Sequence, residues 1–214
     1  MKKKASKKIA EAMMPYLPGY AYGSKPNAMF RVPVGDVFRG LIFDGSGFSS
    51  GTFYPHVFVL PLYVPSDRLT LSFGKRLPGT WEYREGHEEF LAKQLVQKLE
   101  KDGASRFLDE LDDPEKLAAN LGRHHPNPRD PYLLQAIGYS SAICRQFDDA
   151  GETLDRCVVS LQQMQQENPQ IVWYSSLLRE VSEFRDLLIS DPKSALRQLD
   201  EWAEYTRSQV GVPA

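Results

Sequence analysis

The chain has little of what several kinds of protein need. Only two cysteines, Cys144 and Cys157, stand among 214 residues. A disulfide framework or a thiolate zinc site would need more ligands at closer spacing. Both lie in helix-forming sequence and read as reduced core or near-core residues of a cytoplasmic protein. No apolar run approaches the roughly 18–20 residues that cross a bilayer, so no membrane is expected as a partner. The basic opening MKKKASKKIAEAMM is not followed by an apolar segment and is not expected to be a secretory signal. No G-x-G-x-x-G follows a strand and opens a helix. Gly74-Lys75 has neither the earlier glycine nor the following Ser/Thr of a phosphate loop. No cofactor is therefore expected.

What is present suits a packed fold. Hydrophobic residues make up 42% and charged residues 25%, the proportions of an ordinary globular protein with a core. The formal net charge is only −2, but it is unevenly spread. Residues 1–83 hold 11 Lys+Arg against 5 Asp+Glu, and the remainder holds 15 against 23. Five lysines within the first eight residues account for most of the basic excess. Such a tail could touch nucleic acid or anionic lipid, or simply be a solvated helix start.

Periodicity divides the chain in two. Ile9, Met13 and Leu17 repeat at helical spacing over 5–17. Four β-type runs follow: 29–34, 37–44, 53–64 and 69–77. Gly35-Asp36 between the first two predicts a tight hairpin, because glycine tolerates the positive φ of a primed turn. Pro33, Pro55 and Pro61 cannot donate to a ladder and are expected at edges, ends or bulges. From about residue 84 the pattern is helical, with helices predicted over 85–101, 104–111 and 114–122. Asp113-Pro114, Asp130-Pro131, Asn168-Pro169 and Asp191-Pro192 then mark helix starts at 114, 131, 169 and 192. In each, the side chain can cap and the proline loses no bond. The expected fold is α+β: an N-terminal helix and a four-stranded antiparallel meander, followed by a helical C-terminal half. The division is drawn at 1–83 and 84–214, with the helices packed on the sheet.

One segment resembles a known family. The helix 131–145, the turn Gln146-Phe147-Asp148-Asp149 and the helix 149–165 make one unit about the length of a tetratricopeptide repeat. Gly138 and Ala150 are twelve residues apart, as are that family's two small packing residues. Leu134, Ile137, Leu154 and Cys157 stand where it places apolar or small residues, while Ser141 replaces its aromatic. The pattern does not recur at the right period afterwards. Over residues 131–165 the resemblance implies an α-hairpin and a peptide- or protein-binding surface; a generic helical hairpin accounts for the same residues.

Several local patterns suggest chemistry. Gly47-Phe48-Ser49-Ser50-Gly51 fits the G-x-S-x-G of a nucleophile elbow, with His56 close behind. An elbow requires a helix after the turn, yet FYPHVFVLPLYV reads as another strand. No catalytic residue is therefore assigned, and Ser49 and His56 define the alternative reading of a small hydrolase or ligand-binding enzyme. His124 and His125 are the candidate metal ligands, but adjacent residues diverge on a regular element and three prolines surround them. The acidic residues Asp109, Glu110, Asp112, Asp148 and Asp149 are the candidate partner-binding residues. Aromatics interleaved with basic residues on the sheet, such as Phe30-Arg31, Phe38-Arg39 and Phe73 near Lys75-Arg76, suggest a third reading, single-stranded nucleic-acid binding. With no catalytic constellation intact, the sequence favours a non-enzymatic cytoplasmic interaction protein of bacterial type. An adaptor, or an immunity-type protein that blocks another protein, fits this build.

Overall fold

In the computed structural model, residues 3–45, 51–125 and 127–213 are described. They form eight helices and a six-stranded sheet, and the contacts between them separate into two units.

Unit 1 comprises Met1–Leu60, Ser66–Asp112 and Arg207–Ala214. Helix α1, Lys3–Met13, buries Ala5, Ile9, Ala10 and Met13 on one stripe, and a 3₁₀ turn containing Pro15 ends it. The strands are β1 (Tyr20–Gly23), β2 (Ala28–Arg31), β3 (Val37–Gly45), β4 (Thr52–Pro61), β5 (Lys75–Arg76) and β6 (Trp81–Glu82). The sheet order is β1-β2-β3-β4-β5, and β6 also pairs with β4. The helix, the antiparallel meander and the helical C-terminal half are thus as the sequence predicts. The core of the unit includes a chain of rings, Phe30–Phe38 at 5.2 Å and Phe38–Phe58 at 5.1 Å between centroids. A second pair, Phe43–Phe53, meets edge to face at 5.7 Å. Helix α2, Glu88–Lys101, buries Leu91, Ala92, Leu95, Val96 and Leu99 and packs on α1 and on α3, Ala104–Asp109.

The strand details differ from expectation in four places. β1 was not foreseen: its four residues lie between glycines and offer only two tyrosines as β-formers. The two-residue hairpin at Gly35-Asp36 is instead a five-residue connection, 32–36. Val32 donates its N–H to Gly19 O at 2.8 Å, and Pro33 has none to give, so the β2–β3 ladder closes early. The expected strand 69–77 shrinks to Lys75–Arg76, with β6 supplying a second short partner for β4. β4 stops at Pro61 rather than running to Val64. Pro55 lies within β4, but at a gap on its neighbouring edge. β6 pairs at Thr52–Phe53 and β5 at His56–Val57, so no donor is required of the proline between them.

Residues 207–213 complete unit 1. Arg207 donates to Gly35 O at 2.6 Å and Lys25 to Ser208 O at 2.6 Å. Gly211, at φ +79, ends the final helix; its N–H and that of Val212 both reach Arg207 O, a left-handed cap that favours glycine.

Unit 2 comprises Pro61–Pro65 and Asp113–Thr206. Its helices are α4 (Pro114–His124), α5 (Pro131–Ile143), α6 (Phe147–Glu167), α7 (Val172–Ser190) and α8 (Pro192–Val210), the last running to Thr206 within this unit. α4 packs on α5, α5 on α6, and α6 on α7. The Asp-Pro starts behave as read. Asp113 Oδ1 accepts from Lys116 N at 2.8 Å, Asp130 Oδ1 from Tyr132 N at 2.9 Å, and Asp191 Oδ1 from Ser194 N at 3.2 Å. The Asn168-Pro169 start does not. Asn168 instead closes α6, its N–H bonding Met164 O, and α7 begins four residues later at Val172 without a side-chain cap. Between α5 and α6, a Cβ on Gly138 would stand 2.7 Å from Leu154 Cδ2, so glycine sets how closely these helices approach. The segment 61–65 is held by a 2.6 Å bond between the Tyr63 and Ser140 hydroxyls, and by Thr206 Oγ1 donating to Val64 O at 3.3 Å.

Candidate functional site

The 44–56 region is flanked by strands on both sides. Ser49 and the rest of 46–50 lie outside the described residues. Gly51 leads directly into β4, so the helix that would support a nucleophile elbow does not follow. His56 is half-buried on β4, opposite Arg76 on β5. Burial first, and the Arg76 charge, lower its pKa, while Asp44 opposes them. Arg76 lies 3.6 Å above the Tyr54 ring. Of the aromatics that raised a nucleic-acid reading, Phe30, Phe38, Phe43, Phe53, Phe58, Tyr63 and Phe73 are buried, where no base could stack.

His124 ends α4 and His125 follows it. His125 Nδ1 is 3.1 Å from Asn127 O, and Nε2 is 3.9 Å from Asp130 Oδ2. Among the described residues, no three His, Cys, Asp or Glu side chains gather closely enough to hold a metal ion.

The acidic run 109–113 is engaged within the chain. Asp109 pairs with Arg31 at 3.0 Å, Asp112 with Arg39 at 3.6 Å, and Glu110 with Arg106 at 2.6 Å. Arg31 and Arg39 lie one step beyond the Phe30–Gly40 pair of the β2–β3 ladder. Like charges placed side by side on neighbouring strands repel, and the two aspartates offset them. Arg31 also lies 4.9 Å above the Tyr20 ring. Asp148 and Asp149 are exposed in the first turn of α6, where negative charge complements the helix dipole.

The densest unassigned chemistry lies in unit 2, along a seam between α5 and α7. On α5 the residues are Tyr132, Gln135 and Tyr139; on α7 they are Trp173, Glu180 and Phe184. Each set recurs at spacings that share one helix face. At one end Tyr132 and Trp173 stack at 5.1 Å, inclined by 22°. They are 41% and 39% exposed, and Val172 beside them is 78% exposed. In the middle Gln135 Nε2 donates to Glu180 Oε1 at 2.7 Å. At the far end Tyr139 is fully buried against Phe184 at 4.5 Å and Trp202 of α8 at 5.4 Å.

The electrostatics of the seam centre on Glu180. Burial raises its pKa, and hydrogen bonds from Gln135 and Tyr139 partly oppose this. The Tyr139 hydroxyl is pushed well above its ordinary range, by burial and then by the Glu180 charge. Nearby, burial raises the Cys157 pKa to about 12. Cys157 Sγ lies 3.3 Å from Pro131 O and remains an inert thiol at neutral pH.

The helical spacing of Ile171, Tyr174, Leu178, Val181 and Leu188 predicts a core face here; Tyr174, Val181 and Leu188 are buried, Ile171 and Leu178 only half-buried, and the pattern says nothing of Glu180. The signal was Gln135, a long polar side chain in the otherwise apolar run PYLLQAIGYSSAI, only 2% exposed. A buried amide needs a partner.

Neither a family model, nor a curated protein, nor a solved structure matches the chain. The reading of function therefore rests on the geometry above.

A carboxylate whose folded pKa is raised favours the fold when protonated, and this contribution is lost as pH rises through the raised value. Replacing Glu180 with glutamine should thus stabilise the protein at neutral pH by about 1 kcal/mol, or about 2–4 °C in Tm. The gain should vanish as pH falls below the ordinary glutamate range. Thermal melts across that range check it; a gain that grew toward acid would contradict the burial argument.

Proposed function

We propose that the chain is a non-enzymatic protein-interaction module of the cytoplasm, an adaptor or an immunity-type binding protein, and that unit 2 carries its binding face on the α5–α7 seam. The observation that supports this most is the stacked Tyr132–Trp173 pair. Two large rings stand well exposed beside Val172, and aromatic side chains of this kind dominate the energetics of protein interfaces. The likeness of residues 131–165 to a tetratricopeptide hairpin points the same way, as does the pairing of each helix from α4 to α7 with the next. No described helix is long and apolar enough to cross a membrane.

The test is a quantitative pull-down at native expression, at two salt concentrations, with mass spectrometry. The wild-type chain should retain a defined partner at both. Trp173→Ala should lose about 30-fold in its affinity for that partner, the effect of a 2 kcal/mol interface residue, while still melting cooperatively as a folded protein. Recovery of no protein at either salt, or undiminished recovery by both Trp173→Ala and Tyr132→Ala, would overturn the proposal.

A further inference from the structure

We infer that the α5–α7 seam receives a segment of a partner protein bearing lysine or arginine, with the cation on the Glu180 carboxylate and a large apolar neighbour on the Tyr132–Trp173 stack. This rests on the interaction reading above and adds the chemistry of the partner.

The first ground is an imbalance of charge. Two other half-buried carboxylates face a cation within the chain: Asp112 faces Arg39 at 3.6 Å and Asp102 faces Lys98 at 3.1 Å. Glu180 is half-buried as well, yet its bonded partner Gln135 is neutral. Among the described residues neither Glu180 nor Glu183 enters an ion pair. Glu183 lies close enough to add to the electrostatic burden on Glu180. A carboxylate withdrawn from water without a counter-charge costs free energy, which an incoming cation would offset. Burial holds this carboxyl above the usual range, in keeping with the missing positive neighbour. The surroundings have the same sign: unit 2 holds 15 Asp+Glu against 9 Lys+Arg.

The second ground is geometric and does not depend on charge. Gln135 is 2% exposed, and its amide fixes one carboxylate oxygen from within. Trp173 and Glu180 are seven residues apart on one helix, about 10 Å at the helical rise. An extended peptide covers that distance in about three residues. The seam therefore matches a basic residue and a large apolar or aromatic residue three positions apart.

The experiment selects from a displayed random heptapeptide library against the full chain, at low and high salt. Wild type should enrich peptides that carry Lys or Arg three positions from a large apolar residue, more strongly at low salt. Glu180→Gln should lower the preference for Lys and Arg about tenfold, a change of about 1.4 kcal/mol, and keep the apolar preference. Glu180→Asp should retain part of the basic preference. Trp173→Ala should lose the apolar one. Thermal melts of each variant show that the fold is intact.

No enrichment of basic residues, or an unchanged preference in Glu180→Gln, would overturn the inference. Selection of purely apolar peptides that still depends on Trp173 would overturn it while leaving the interaction reading in place. Selection indifferent to both residues would remove both. A dimer by sedimentation velocity that dissociates in Glu180→Gln would make the occupant a second copy and would also overturn it.

Discussion

Gly40→Ala is expected to disrupt the pairing of β2 with β3. A Cβ at this position would lie 2.0 Å from Met29 O and 2.7 Å from Phe30 Cα. Both are backbone atoms of the paired strand, so no change of rotamer relieves the overlap. One strand must move away, and the register Met29–Leu41 and Phe30–Gly40 is lost with the contact of Phe30 on Phe38. Overpacking in a well-packed core costs about 1–3 kcal/mol, and an overlap with backbone belongs at or beyond the upper end. Against a total of about 5–15 kcal/mol for a typical domain, this is a large share. The urea midpoint should fall, and the amides of β2 and β3 should lose protection from hydrogen exchange. Gly35→Ala is the control, since nothing lies within 4 Å of its added methyl. A Gly40→Ala midpoint equal to that of Gly35→Ala would refute the packing described for this strand pair.

The second large effect is expected at Tyr139. Tyr139→Ala removes a fully buried ring from between Phe184 and Trp202 and should cost about 3–5 kcal/mol. Tyr139→Phe keeps the ring and removes the hydroxyl, which serves Glu180 and lies 3.4 Å from Gln135 Nε2. Its cost should be about 1 kcal/mol. Trp173→Ala, at the exposed end of the same seam, should cost less than Tyr139→Ala because its ring is 39% exposed. Chemical denaturation of the three variants orders them. If Tyr139→Ala were no worse than Trp173→Ala, the gradient from exposed to buried along the seam would be wrong, and with it the separation of a binding end from a structural end.

Much of the helical region was legible because its signals are local. At Asp113, Asp130 and Asp191 the residue that caps is adjacent to the proline that starts the helix, and no distant contact is needed to place them. Asn168 carried the same pattern and failed, because α6 continued to Glu167 and used Asn168 as its own end. Which of two helices claims a boundary residue depends on how far the first one packs. The sheet was legible in class but less so in detail. The strand run 69–77 had the right composition, yet only Lys75–Arg76 pair. Pairing belongs to both strands at once, and composition describes only one.

The acidic residues show a sharper limit. Asp109, Glu110 and Asp112 read as a solvated patch open to a partner, but each faces an arginine, two of them on strands some seventy residues earlier in the chain. Glu180 carries no local signal in the sequence and is half-buried beside a buried amide. For Asp109, Asp112 and Glu180 local sequence cannot tell these cases apart, since the partner is supplied by another element; Glu110 alone meets a partner four residues away.

The sequence by itself determined the alternation of β and α, the helix starts at aspartate-proline steps, and the direct passage from Gly51 into a strand, because hydrophobic period and capping act over a few residues. Tertiary structure alone decided which carboxylates meet a cation, which glycines admit no side chain, and that Tyr132, Gln135 and Tyr139 face Trp173, Glu180 and Phe184. Most of those outcomes depend on distances between residues on different elements, from about ten positions apart at Gly40 to more than seventy at Arg31, which the chain acquires only when its helices and strands pack.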